Sequence, residues 1–120
     1  MVNKPSIVDI IEAGLRANSV RQRVVANNLA NVNTPGFRRT KVHFEDALAE
    51  ALDSTMGISK ATLMDMEAEL FKPYDTPVDA RGNDVDLDVE IGELVKTAGR
   101  QKALLKFLKK QYEQMEAAMK

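Results

Sequence analysis

Two stretches near the ends of the chain carry apolar residues at steps that alternate between three and four, and this pattern constrains the fold more than any other feature. The first line runs through Val8, Ile11, Leu15, Asn18, Gln22, Val25, Leu29 and Val32, a heptad seam about 25 residues long. The second runs through Ile91, Leu94, Ala98, Gln101, Leu105, Leu108, Tyr112, Met115 and Met119 with the same alternation. A helix with such a stripe has to cover it with another helix. The expected fold is therefore mainly α: two long terminal helices packing as an antiparallel coiled-coil-like pair, joined by an irregular acidic middle segment.

The breaks between these lines divide the chain into residues 1–36, 37–81 and 82–120. Ser6 is placed to cap the first helix, with Asp9 as the acid of a capping box. The helix is expected to stop at Asn31-Val32-Asn33-Thr34-Pro35-Gly36, because Pro35 disfavours helix at Thr34 and Pro-Gly suits a type II turn with positive φ at Gly36. Residues 37–44 read as basic and extended, and Phe44, Ala47, Leu48, Ala51 and Leu52 fit one short helix before Gly57. Between residues 58 and 81 no single period holds, and Pro73 and Pro77 interrupt the rest, so an irregular connector is expected. Gly82-Asn83-Asp84 reads as a turn and residues 85–88 as a short extended piece, with Asp88 placed to cap the second long helix.

Composition narrows the function. With 120 residues, 5% aromatic, the chain has little bulk for a self-sufficient core, and burial against partners is expected to complete the folding of the isolated protein. The absence of Cys excludes disulfides, zinc ribbons and thiol nucleophiles, and a lone His43 leaves no His-based relay. No run approaches the roughly 20 apolar residues of a bilayer span, and residues 1–5 show no cleavable secretory signal. The net charge of −1 hides a segregation: residues 1–44 carry seven Lys/Arg against two Asp/Glu, residues 45–93 three against fourteen, and residues 94–120 seven against two. Opposite-sign regions of this kind speak of partners and self-association.

The candidate chemistries are weak. Asp84, Asp86, Asp88 and Glu90 suggest a Ca²⁺ loop, but the later Gly and the bidentate twelfth-position Glu are missing, so turn and capping chemistry is the better reading and no metal or cofactor is expected. Lys96, Arg100, Lys102, Lys106, Lys109 and Lys110 lie off the second seam. They allow a competing class, a cytoplasmic helical hairpin gripping nucleic acid or anionic membrane. The nearby aromatics are too few for base stacking, and an exposed face that meets water or an acidic neighbour is the better reading. No small-molecule substrate and no nucleic acid are expected.

Asn27, Asn28, Asn31 and Asn33 crowd the end of the first helix and lead into Thr34, Pro35, Gly36 and Phe37. Four Asn in seven residues exceed what a helix stop needs. This stretch resembles the N-terminal signature of the bacterial flagellar axial proteins, the rod, hook and hook-associated family. Gly82, Asn83, Asp84, Val85, Asp86, Leu87, Asp88, Val89 and Glu90 resemble the segment before the C-terminal helix in the proximal rod branch of that family. The resemblance implies a non-enzymatic subunit of the flagellar rod, exported without a cleaved signal, polymerised in the periplasm and transmitting torque. Its implied partners are itself, other rod proteins, and membrane-ring, rod-adaptor and export-gate proteins at the rod base.

Matching the two seams gives an expected register: Ile11 by Tyr112, Leu15 by Leu108, Asn18 by Leu105, Gln22 by Gln101, Val25 by Ala98, Leu29 by Leu94 and Val32 by Ile91. The Gln22/Gln101 pair selects it, because sliding by a heptad would leave a buried amide against an aliphatic side chain.

Overall fold

Ser6 begins the structure as expected: its hydroxyl accepts from Asp9 N at 3.1 Å, the Asp9 carboxylate accepts from Ser6 N at 2.9 Å, and helix α1 runs over Ile7–Ala30. The computed structural model describes residues 4–53 and 57–120. Residues 1–3 and 54–56, which belong to the expected first segment and connector, lie outside the described residues. After α1 come strand β1 (Lys41–His43), helices α2 (Glu45–Asp53) and α3 (Lys60–Asp65), strand β2 (Glu69–Phe71) and helix α4 (Leu87–Ala118). Asp86 caps α4, accepting from Asp88 N at 2.9 Å and Val89 N at 3.3 Å. The cap is thus two residues before the expected Asp88, which instead lies with Glu90 in the first turn, where the helix dipole favours acids.

The middle segment holds more structure than its sequence announces. Ser59 caps α3 by accepting from Thr62 N, and Leu63 is completely buried among Ala13, Ala17, Phe44 and Ile58. Strands β1 and β2 pair antiparallel, with Lys41 opposite Phe71 and His43 opposite Glu69. All three β2 side chains are exposed, so no alternation marks this strand in the sequence. Arg21 of α1 grips Glu45 through two bonds of 2.8 and 2.6 Å and pins the start of α2 to α1.

Helices α1 and α4 do pack against each other antiparallel, but on a rotated face and in another register. Asn18 meets Gln101 at 3.0 Å and the Thr97 carbonyl at 3.0 Å, and Asn28 reaches Glu90 at 3.1 Å. A Cβ on Gly14 would make ordinary van der Waals contact with Leu104 at 3.4 Å, which marks where α4 crosses α1. Gln101 therefore pairs with Asn18, about one helical turn away from the expected Gln22, and Gln22 is exposed. Ile11 and Val25 of the expected seam are buried, and Leu15, Leu29, Gln101 and Leu108 are half-buried. Ile91, Leu94, Ala98, Leu105 and Tyr112 are exposed instead of facing α1.

The reason for the correction is polar pairing. Each helix turns inward the line next to its most apolar one: Gly14, Arg21 and Asn28 replace Leu15, Gln22 and Leu29, and Glu90, Thr97 and Leu104 replace Ile91, Ala98 and Leu105. Among the described residues eight apolar side chains are buried, and eight polar or charged ones are buried with them. An unpartnered buried polar group costs about 1–3 kcal/mol, so a register that pairs the Asn18 amide nitrogen, Asn28 and Glu90 together outweighs one that covers a few more methyl groups, even with the Asn18 Oδ1 left without a partner.

Candidate functional site

The end of α1 and the start of α4 meet in a buried polar junction that joins the two sequence signatures into one unit. From α1, the completely buried Asn28 treats the chain after the turn as a strand partner: its Nδ2 donates to the Thr40 carbonyl at 2.8 Å and its Oδ1 accepts from Thr40 N at 3.0 Å. The same Nδ2 donates to Glu90 Oε2 at 3.1 Å, and Arg39 Nε donates to Glu90 Oε1 at 2.8 Å. Arg39 also donates to Asp75 at 3.3 Å, while its backbone N–H donates to Asp84. Arg38 reaches the other Asp84 oxygen at 3.0 Å and lies 4.6 Å over the Tyr74 ring. Burial works to lower the Arg39 pKa, but the hydrogen bond and charge of Glu90, with Asp75 behind it, outweigh burial and hold it above the ordinary value. The charges at the centre of the junction are thus paired.

The turn itself is closed by Asn83. Its Nδ2 donates to the carbonyls of Asn31 and Thr34, both at 2.8 Å, and its Oδ1 accepts from Val85 N at 2.7 Å. Phe37 N donates to the Thr34 carbonyl at 3.3 Å across Pro35-Gly36, and Gly36 has φ 74°, as a type II turn requires. Gly36 N donates to the Arg81 carbonyl at 2.8 Å, and Asp84 N to the Phe37 carbonyl at 3.3 Å, so the two signatures are also tied backbone to backbone. Gly82, with φ 80°, presents its Cβ position 3.6 Å from the Gly36 Cα. Arg81 donates to the Asn33 carbonyl at 3.1 Å, and Asn31 braces the turn by donating to the Asn27 carbonyl at 2.8 Å and accepting from Thr34 at 3.0 Å. Asp79 accepts from Arg81 N and Asn83 N, and these backbone bonds hold its carboxyl below the usual range.

Of the expected signature residues, Asn28, Asn31, Asn33, Thr34, Pro35, Gly36, Phe37, Gly82, Asn83 and Val85 come together here. Asn27 accepts from Asn31 through its carbonyl and its side chain, Asp86 serves the α4 cap, and Leu87 and Asp88 are exposed. Sequence reasoning left Arg39 in a basic strand-like run and assigned Asp84 and Glu90 to turn and capping chemistry. They are the charged centre of the junction. The signal that could have found them is the segregation of charge, which sets Arg38-Arg39 against Asp84 and Glu90.

This geometry is rich in structure and poor in chemistry. Among the described residues no group of three or more His, Asp or Glu could hold a metal ion, and no helix is long and apolar enough to cross a membrane. Comparison with known proteins agrees with the placement of the first signature. The family described as Flagella basal body rod protein matches residues 10–38. The flagellar basal body rod protein FlgB of Borrelia hermsii is 32% identical over 103 residues, covering 73% of this chain and 76% of the relative. FlgB of Bacillus subtilis is 29% identical over 101 residues, covering 79% and 78%. The flagellar hook protein FlgE of Treponema pallidum is 40% identical, but over 42 residues that make up 35% of this chain and 9% of the relative.

Proposed function

Since the chain belongs to the FlgB family of flagellar basal-body rod proteins, and so is a structural subunit of the flagellar rod rather than an enzyme, we propose that its buried polar junction is the assembly device of that rod. The observation that supports this reading is the locking of residues 31–37 against residues 79–85 by side-chain and backbone bonds. That lock fixes the end of α1 and the start of α4 relative to each other, so the subunit offers neighbours a rigid end. A rigid end is what a torque-bearing joint needs, because a compliant one would turn rotation into local unfolding.

The subunit works with other rod and hook components. Its place at the proximal end of the rod, in the periplasm, next to membrane-ring, rod-adaptor and export-gate proteins, and its export without a cleaved signal, complete the proposal. No observation on the helices favours a grip on nucleic acid or anionic membrane. The test is a strain deleted for the gene. It should not swim and should yield no rod-bearing basal bodies, and the wild-type gene should restore both; a deletion strain that swims would overturn the assignment.

A further inference from the structure

The heptad line of α4 that the fold leaves uncovered is a long unpartnered surface. Ile91, Ala98, Leu105, Tyr112 and Met119 recur every seven residues on it and all are exposed. Lys102, Lys106 and Lys109 lie alongside at i, i+4 and i+7, also exposed, and between Leu94 and Tyr112 the helix carries six cations and no acid. A second α4 laid on this face would set lysine against lysine, which disfavours pairing of two α4 helices.

Helix α2 is the opposite. It has four acids and no base in nine residues. Leu48 and Ala51 pack toward the core, and Glu45 is taken by Arg21. Asp46, Glu50 and Asp53 remain on the outer face, at the same i, i+4, i+7 spacing as the lysines, exposed and without an ion pair among the described residues. With the two helices running in the same direction, the charged triplets lie opposite each other over about 10 Å of helix. The acids point away from the core that α2 shares with α1, so the helix that meets them comes from outside the chain.

We propose that the outer face of α2 in one copy docks on the uncovered α4 stripe, at Lys102, Lys106 and Lys109, of a second copy. The proposal rests on the rod-subunit reading and adds to it which faces of two subunits meet. The contact is small and electrostatic, so it is weak alone and effective only when repeated along an assembly.

The test is a charge swap in the full chain, with folding of each variant checked by circular dichroism. Self-association of the purified wild type should be measurable by sedimentation at about 50 mM salt and fall steeply at about 500 mM. Reversing Asp46→Lys, Glu50→Lys and Asp53→Lys together, or Lys102→Glu, Lys106→Glu and Lys109→Glu together, should each weaken association by about tenfold or more. Combining all six should bring it back to within about threefold of wild type, because every copy then carries both reversed faces. A wild type that stays monomeric at about 1 mM and low salt, a reversal without effect, or a folded six-fold variant that does not recover, each overturns the proposal. A loss confined to the α4 reversal rejects α2 as the occupant. None of these outcomes touches the rod reading, which stands or falls on the deletion strain.

Discussion

The two ends of the α1–α4 pair are made of different material. At one end Asn28, Asn83, Asp84 and Glu90 are almost wholly buried and bonded to one another's neighbourhoods, with Arg39 between them. At the other end Leu105, Phe107, Tyr112, Met115 and Met119 stand in solvent. The usual rule would place these groups the other way round. The difference teaches where the chain keeps its conformational information: a satisfied polar network fixes one arrangement of the backbone, whereas apolar burial is left for a neighbour to complete.

The sharpest way to break this comparison is to remove Glu90. Its two oxygens hold Arg39 and Asn28, and Glu90→Ala would leave the buried Arg39 guanidinium with the longer contact to half-exposed Asp75 in place of its buried partner. Breaking one side of such a pair typically costs about 3–5 kcal/mol. For a chain with so small an apolar core this should abolish the cooperative unfolding transition of the purified protein in urea, followed by circular dichroism. A transition within about 1 kcal/mol of wild type would show that the junction is decoration on a fold held elsewhere.

Local signals in the sequence were sufficient for the parts that depend on local chemistry. Ser6 and Asp9 make their capping box within one turn, and Pro35-Gly36 sets its turn from the backbone preferences of two residues. The two long helices follow from their period. Which edge of each helix turns inward could not be read, since the apolar line through Ile91 and Leu105 lies beside the polar one through Glu90 and Thr97. The choice was made by partners far along the chain, Thr40 for Asn28 and Thr97 and Gln101 for Asn18. The same limit hid the candidate site. Both signatures were visible, but Asp84 on Arg38 and Glu90 on Arg39 are contacts across more than forty residues, and Asp84 alone reads as a turn residue. The β1–β2 pairing was illegible for another reason: three-residue strands whose side chains are uniformly half-buried in β1 and exposed in β2 carry no alternation.

A smaller effect separates backbone strain from packing in the turn. Nothing lies within 4 Å of a Cβ at Gly36, so the strain of a β-carbon there comes from its φ of 74°. Gly36→Val should cost about 1–2 kcal/mol, whereas Gly36→Asn, which tolerates the left-handed region, should cost under about 1 kcal/mol. In cells the Val variant should be secreted yet fail to restore rods and swimming. Equal losses for Val and Asn would mean that something other than conformation is selected at this position.

Acid should loosen the attachment of α2. Burial raises the Glu45 pKa, but the Arg21 hydrogen bond and charge outweigh it and hold the carboxyl below its ordinary value. A group depressed in this way contributes its stability above the ordinary carboxylate range, and loses it as pH falls through the lowered value. The stability difference between wild type and Glu45→Gln should therefore stay level from about pH 7 to pH 5 and shrink below about pH 4. Because the carboxylate is half exposed, its size should not exceed about 1 kcal/mol. A difference that grows on acidification would reverse the assignment of the pair.

The smallest effect on folding belongs to the bare end of α4, and its smallness is the point. Leu105 and Tyr112 touch little within the chain, so Leu105→Gln and Tyr112→Gln should change the stability of the purified protein by no more than about 0.5 kcal/mol. If that stripe is reserved for a neighbour, the same two substitutions should still lower the yield of rod-bearing basal bodies. Amide hydrogen exchange gives an independent reading: protection should be highest around Asn28 and Glu90, and should fall toward solvent values past Gln111 in the isolated chain but not in assembled material. Uniform protection along α4 in the monomer would erase the contrast between the two ends, because helix stability alone, without tertiary cover, does not sustain the last turns of a helix in water.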